Sequence, residues 1–197
     1  MAKVFDGVDE KLESWIARQR MFFVGTAPLD AGGHVNVSPK GPIESFRVVD
    51  AHTVAYLDLI GSGAETIAHI RENGRVVVMF CAFEGPPRIV RLHGRARVVL
   101  SAEDEFARLE RELGFDVTAP RAGWRAIVVV DVDRVADSCG YGVPLMEYRG
   151  ERTQQRDWID RKLHAGSDAL VEYVRDKNGT SIDGLESVDA ELVAPAE

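Results

Sequence analysis

The chain has 197 residues, 45% of them apolar and 28% charged, with a net charge of −8. That size suits one domain with a substantial core, and the acidic balance argues against nonspecific binding to nucleic acid or to anionic membranes. Charges run through the first residues without a signal-peptide pattern, and no apolar run approaches the ~18 residues of a membrane helix, so a cytoplasmic protein is expected. Cys81, in an apolar run, reads as a small buried hydrophobe, and Cys139 lies in a loop. Two lone cysteines and five scattered histidines do not have the spacing of a metal site.

In chain order, residues 9–20 read as an amphipathic helix with Leu12, Trp15 and Ile16 on one face. Met21 to Thr26 is a strand, a glycine-containing turn follows, and His34 to Ser38 alternates polar and apolar as the second half of a hairpin. Pro39-Lys40-Gly41-Pro42 interrupts the ladder, because proline lacks a donor and marks an edge or bulge. Ser38 and Lys40 are thereby left to face a ligand, or else Lys40 is simply a solvated hairpin end. Phe46 to Val49 and Thr53 to Leu57 are the next strands, joined by a tight turn at 50–52.

Tyr56 to Phe80 reads as strand, glycine loop, helix and buried strand. Gly61, Ser62 and Gly63 let the backbone turn, and Ser62 with Glu65 has capping-box spacing, predicting a helix that opens at Gly63 and stops at Asn73-Gly74. A glycine loop opening a helix offers unpaired N–H groups to a phosphate. Equally, Ser62 and Glu65 can satisfy those amides, and Glu65 places a negative charge there. Val76 to Phe83 predicts a strand buried on both faces. Arg88 to Leu100 is a long strand carrying Arg88, Arg91, Arg95 and Arg97, of which Arg91 is the candidate anion contact and Arg95 and Arg97 read as solvent-facing.

Ala102 to Leu113 predicts a helix capped by Ser101 and stopped by Gly114, and Arg125 to Val132 another valine-rich strand. Short turns and no βαβ alternation suggest a mostly antiparallel closed sheet with flanking helices. Beyond a glycine- and proline-containing segment at 138–146, residues 151–162 and 168–177 predict polar helices bearing Trp158, Leu170, Val171 and Tyr173, and the last ten residues look frayed. The expected division is a barrel domain over 1–150 and a helical extension over 151–197 that packs on the barrel or on a partner subunit.

The strings NVSPKG (36–41), IRENGRVVVMF (70–80) and RIVRLHGRARVV (88–99), in that order and spacing, resemble the pyridoxamine 5′-phosphate oxidase-like family of flavin-binding split barrels. The likeness covers roughly residues 10–135, and SCGYGVP (138–144) is similar to a C-terminal feature of one uncharacterised branch. The resemblance implies a six-stranded antiparallel split barrel and a homodimer with FMN at the subunit interface. It implies phosphate contacts from the hairpin strand and the loop–helix junction, and a flavin ring against the hairpin backbone. Carried onto this chain, the cofactor-binding set is Ser38, Pro39, Lys40, Gly61, Ser62, Gly63, Thr66 and Arg91. Two departures stand out. The Ser-Arg-Lys string that precedes the helix in true pyridoxamine phosphate oxidases is matched by Ala64-Glu65-Thr66. The C-terminal Trp and Arg-Leu segments that hold the vitamin's phosphate in those enzymes have no counterpart, Trp158 notwithstanding. The implied function is an FMN-dependent oxidoreductase on a small molecule rather than a vitamin B6 oxidase. A deazaflavin-dependent reductase, and a non-catalytic haem- or flavin-binding protein using His34, His69 or His93, are the alternatives.

Overall fold

A computed structural model describes residues 3–166 and 168–193. Eight strands form one antiparallel sheet: β1 Lys3–Phe5, β2 Phe22–Thr26, β3 Asn36–Lys40, β4 Phe46–Asp50, β5 Thr53–Leu59, β6 Arg75–Cys81, β7 Ile89–Leu100 and β8 Trp124–Ser138. Five α-helices flank it: α1 Glu10–Ile16, α2 Glu65–Asn73, α3 Asp104–Leu113, α4 Gln154–Ala165 and α5 Ala169–Lys177. The order across the sheet is β3-β2-β6-β7-β8-β5-β4, with β1 added to the far end of β8. The count exceeds the six strands expected, because β1 is three residues long and carries no readable alternation. It exists only because β8 runs past β5 and offers Val135 to Asp137 as a partner.

The sheet is curled on itself. Strands β2 and β4 stand far apart in the hydrogen-bonded order, yet the Phe22 and Phe46 rings lie 5.1 Å apart, and Phe46 is 5.1 Å from Phe80. These rings and Tyr56 are buried together, and aromatic edges meeting faces at this spacing add to the apolar burial that draws the two ends of the sheet toward each other. Curling needs a local break in register, and one lies where His93 and Gly94 of β7 face Arg134 and Val132 of β8, leaving Asp133 as the extra residue. A Cβ at Gly94 would stand 2.0 Å from the Asp131 carbonyl oxygen, so only glycine permits that approach.

Helix α1 is shorter than its apolar pattern: Asp9 caps it by accepting from Leu12 N at 2.7 Å, and the chain leaves the α conformation after Ala17 to enter β2. Helix α3 packs Phe106 and Leu109 on Leu57, Val99 and Ile127. It begins at Asp104 with Glu103 in the cap position, two residues beyond the predicted Ser101 cap. The C-terminal segment is packed where the sequence suggested fraying. Val188, Ala190 and Val193 are buried with Ile159, Leu170 and Val174 against Ile60, Ile67 and Leu100, and residues 194–197 lie outside the described residues. A few apolar side chains suffice here because they enclose the outer side of α2 rather than a core of their own.

Candidate functional site

Edge strand β3 pairs only with β2 among the described residues, in the register Thr26↔Asn36, Val24↔Ser38 and Phe22↔Lys40. Side chains alternate along a strand, so Asn36, Ser38 and Lys40 share one face while Val37 and Pro39 take the other. The polar three face inward, toward α2 and the barrel mouth. Asn36 Nδ2 donates to Thr66 Oγ1 at 2.9 Å and Thr26 Oγ1 at 3.3 Å, and Ser38 Oγ donates to Asn36 Oδ1 at 3.2 Å. Thr66 is the second residue of α2 and buried. Its own hydroxyl proton has at best a long 3.5 Å contact with Ser38, which leaves it available to an acceptor arriving at the helix end. Behind this group Thr26 meets His69 Nδ1 at 3.0 Å; burial lowers the His69 pKa, keeping the ring neutral beside the hydroxyls.

Lys40 Nζ donates to Asp58 Oδ1 at 2.5 Å, and Arg125 donates to Asp58 Oδ2 through Nε at 2.9 Å and Nη2 at 2.6 Å. Asp58 and Arg125 are buried, whereas the Lys40 side chain is 20% exposed and faces the opening. Burial by itself would raise the Asp58 pKa. The Arg125 guanidinium and the Lys40 ammonium outweigh it and hold the carboxyl at about 2. Two cations against one carboxylate leave this buried group one positive charge in excess.

The glycine loop differs from the sequence expectation. Helix α2 opens at Glu65 with Ala64 in the cap position and without a side-chain cap, so Ser62, which is exposed, does not form the predicted capping box. The loop is organised from inside: Arg125 Nη1 donates to the Gly63 carbonyl at 2.9 Å, and Asn178 Nδ2 to the Gly61 carbonyl at 2.9 Å. Because carbonyl and following N–H point oppositely across a trans peptide, the Ala64 N–H faces outward, where Glu65 Oε2 accepts from it at 3.1 Å. A carboxylate thus holds one of the amides an anion would use. Ser187 Oγ donates to the Ala64 carbonyl at 2.7 Å, tying the C-terminal segment to the same turn.

Of the eight residues singled out in the sequence, Ser38, Lys40 and Thr66 come together at the mouth. Gly61 and Gly63 lie alongside with their carbonyls turned inward, Ser62 is directed to solvent, and Pro39 is on the outer face of β3. Arg91 is on β7, three strands from β3 in the row Pro39–Phe23–Met79–Arg91, and donates to Ser138 Oγ at 3.2 Å. Asn36, Asp58, Arg125 and Asn178 were missed. One acid inside YLDLI and one arginine inside WRAIVVV carry a signal that could have found the pair: opposite charges in otherwise apolar strands are rarely buried unless they meet. His34 Nδ1 is 2.6 Å from Asp183, near His69, while His93 is on β7 beside Arg134. Among the described residues no three His, Cys, Asp or Glu side chains are grouped to hold a metal, and no helix is long and apolar enough to cross a membrane.

A curled antiparallel sheet, left open between two edge strands and flanked by helices, defines a split β-barrel. The pyridoxamine 5′-phosphate oxidase family model matches residues 8–139. The pyridoxamine 5′-phosphate oxidase family protein ustO of Aspergillus flavus is 38% identical over 192 residues, covering 92% of this chain and 76% of that protein. The chain belongs to the pyridoxamine 5′-phosphate oxidase family. Among solved structures, HupZ of Group A Streptococcus is 22% identical with a TM-score of 0.50, covering 66% of this chain and 99% of that one. An FMN-binding protein from Syntrophomonas wolfei subsp. wolfei is 19% identical with a TM-score of 0.47, covering 70% and 87%. The HupZ likeness concerns the fold alone, and the second is too weak to add to it.

Proposed function

We propose that the chain is an FMN-dependent oxidoreductase acting on a small molecule, and that two copies assemble about the cofactor. The observation that carries this reading is the polar row of β3 set against the first turn of α2. Thr66 supplies an uncommitted hydroxyl proton, Ser38 a hydroxyl that can turn away from Asn36, whose amide positions both, and Lys40 supplies the excess positive charge, a donor set suited to a phosphate. Family membership supports a flavin as the bearer of that phosphate. Bound there, FMN would supply two-electron chemistry, which is the cofactor's own and needs placement and a dry site more than acid–base side chains. In this reading Thr66 and Ser38 hold the phosphate, Lys40 balances its charge, and Asp58 with Arg125 fixes Lys40 and the loop. The outer face of β3, with Val37 exposed at 62% and Val35 just before the strand at 74%, supports the second copy as what covers the cofactor and the open edge.

The test is titration of cofactor-free protein with FMN, read by flavin fluorescence, with sedimentation for assembly. One FMN per chain is expected, and Thr66→Val and Lys40→Met each weaken binding by about tenfold, or ~1.4 kcal/mol. Absence of binding at millimolar FMN, or unchanged affinity in both variants, overturns the proposal. Glu65 on the Ala64 amide favours a second reading, in which the phosphate of a deazaflavin cofactor lies further from the loop. Preference for that cofactor by about a hundredfold, ~2.7 kcal/mol, in a parallel titration would select it.

A further inference from the structure

A cavity of about 740 Å³ lies beyond the Lys40 end of the row on β3, between the end of α1, the start of β2, the β6–β7 turn and the segment that follows β8. Trp15, Met21, Phe83, Met146 and Tyr148 give it an apolar, largely aromatic wall. The outer segment is held across it by one backbone bond, from Met146 N to the Phe83 carbonyl at 2.9 Å. Charges enter in an uneven way. Arg88 lies over the Trp15 ring at 5.0 Å and is neutralised by Asp137 at 2.9 Å, and Glu147 is 3.4 Å from Arg149. Arg20 lies 4.5 Å over the Tyr148 ring, and neither it nor Arg18 has a carboxylate partner among the described residues. Arg18 and Arg20 are thus the lining guanidinium groups outside ion pairs, with Glu84 on the same wall and Glu151 engaged at the rim, where it accepts from the Tyr148 hydroxyl at 2.6 Å.

A guanidinium held near an aromatic ring by cation–π attraction can still present N–H groups to a carboxylate in two parallel bonds. The volume is that of a small-molecule pocket, in which apolar walls and a few placed polar groups set orientation. Two thioethers beside three aromatic side chains adapt to a flat, polarisable ligand. The cavity also adjoins the proposed cofactor site. Met21 precedes Phe22, the cross-strand partner of Lys40, and a Cβ at Gly41 would stand 3.7 Å from the Met21 Cβ.

We propose that this cavity binds a planar aromatic monocarboxylate, its carboxylate clamped by Arg20 and its ring set against Trp15, Met21 and Met146. Describing that ligand as the substrate rests on the flavin reading; the binding itself does not.

The experiment uses the full chain and the matched probes trans-cinnamate and cinnamyl alcohol, which differ in the charged group alone, titrated calorimetrically without FMN. Cinnamate is expected to bind at least about tenfold more tightly than the alcohol. Arg20→Gln should bring the two within about twofold, Arg20→Lys should retain part of the difference, and Lys40→Met should leave it unchanged. Circular dichroism verifies the fold of each variant. Equal affinity for the two probes, no heat from either at about 10 mM, or an undiminished preference in Arg20→Gln overturns the proposal. If cinnamate binds as expected while FMN does not, the flavin reading falls and the cavity assignment stands; the reverse result removes the cavity assignment alone.

Discussion

Lys40 on edge strand β3 and Asp58 on β5 meet at 2.5 Å, although β3 is at one end of the sheet order and β5 is next to the other end. Their contact spans the open side of the barrel, and Arg125 on β8 fixes it from beneath. A buried carboxylate held by two cations is costly to desolvate and costly to break. Its placement beside the glycine loop makes it both a strut of the barrel and the source of positive charge at the candidate site.

Removing the shared carboxylate should therefore cost more than removing either end of the chain. Asp58→Asn leaves Arg125 buried without a counter-charge and is expected to lose about 3–5 kcal/mol. Lys40→Met leaves the Asp58–Arg125 pair intact and should lose only about 1 kcal/mol. Urea unfolding at neutral pH measures both, and equal losses would show that Lys40 and Arg125 are not distinguished by burial.

Acid should reveal the same group. With a folded pKa of about 2 against an ordinary 3.8, Asp58 binds its proton more readily in the unfolded chain. Its contribution is complete above about pH 5 and disappears as pH falls through 2, a loss of roughly 2 kcal/mol. Stability measured between pH 5 and 2 should fall less steeply in a Lys40→Met, Asp58→Asn double variant than in the parent.

The SCGYGVP string gives a paired test of backbone geometry. Gly140 has φ +66° and a Cβ there would lie 2.6 Å from the Arg88 amide nitrogen, whereas a Cβ at Gly142 meets nothing within 4 Å. Gly140→Ala is expected to cost about 1–3 kcal/mol, and Gly142→Ala to stay within ~0.5 kcal/mol. Thermal unfolding compares them directly, and similar melting temperatures would contradict the close approach.

The C-terminal segment should act on the glycine loop through two bonds. Asn178→Ala removes the donor to the Gly61 carbonyl and Ser187→Ala the donor to the Ala64 carbonyl. Both side chains are buried, and each change is expected to lose about 1–3 kcal/mol, the larger for Asn178, whose bigger side chain also leaves a larger void. Limited proteolysis provides the local readout: faster cleavage at 61–64 in Asn178→Ala than in Ser187→Ala is the anticipated order.

Much of this protein was legible without coordinates, because local chemistry fixed it. Alternation placed Asn36, Ser38 and Lys40 on one face of a strand, Pro39 marked that strand as an edge, valine runs marked β6 and β8 as strands, although β6 alternates buried and half-buried positions instead of being buried on both faces, and Gly74 and Gly114 ended two helices in the left-handed conformation. Motif order was enough to indicate the split barrel and its family. What the chain could not announce were relations across long sequence separations. Ser62 and Glu65 have capping-box spacing, but the loop carbonyls are drawn inward by Arg125 and Asn178, distant in sequence, and the helix starts later in consequence. The terminal VDAELV looked frayed because its few apolar side chains acquire value only against Ile60 and Ile67. Spacing sets which side chains share a face; only the closed fold decides which charges lose their water together, and that is why Asp58, Arg125 and the arginine-lined cavity emerged from the tertiary structure alone.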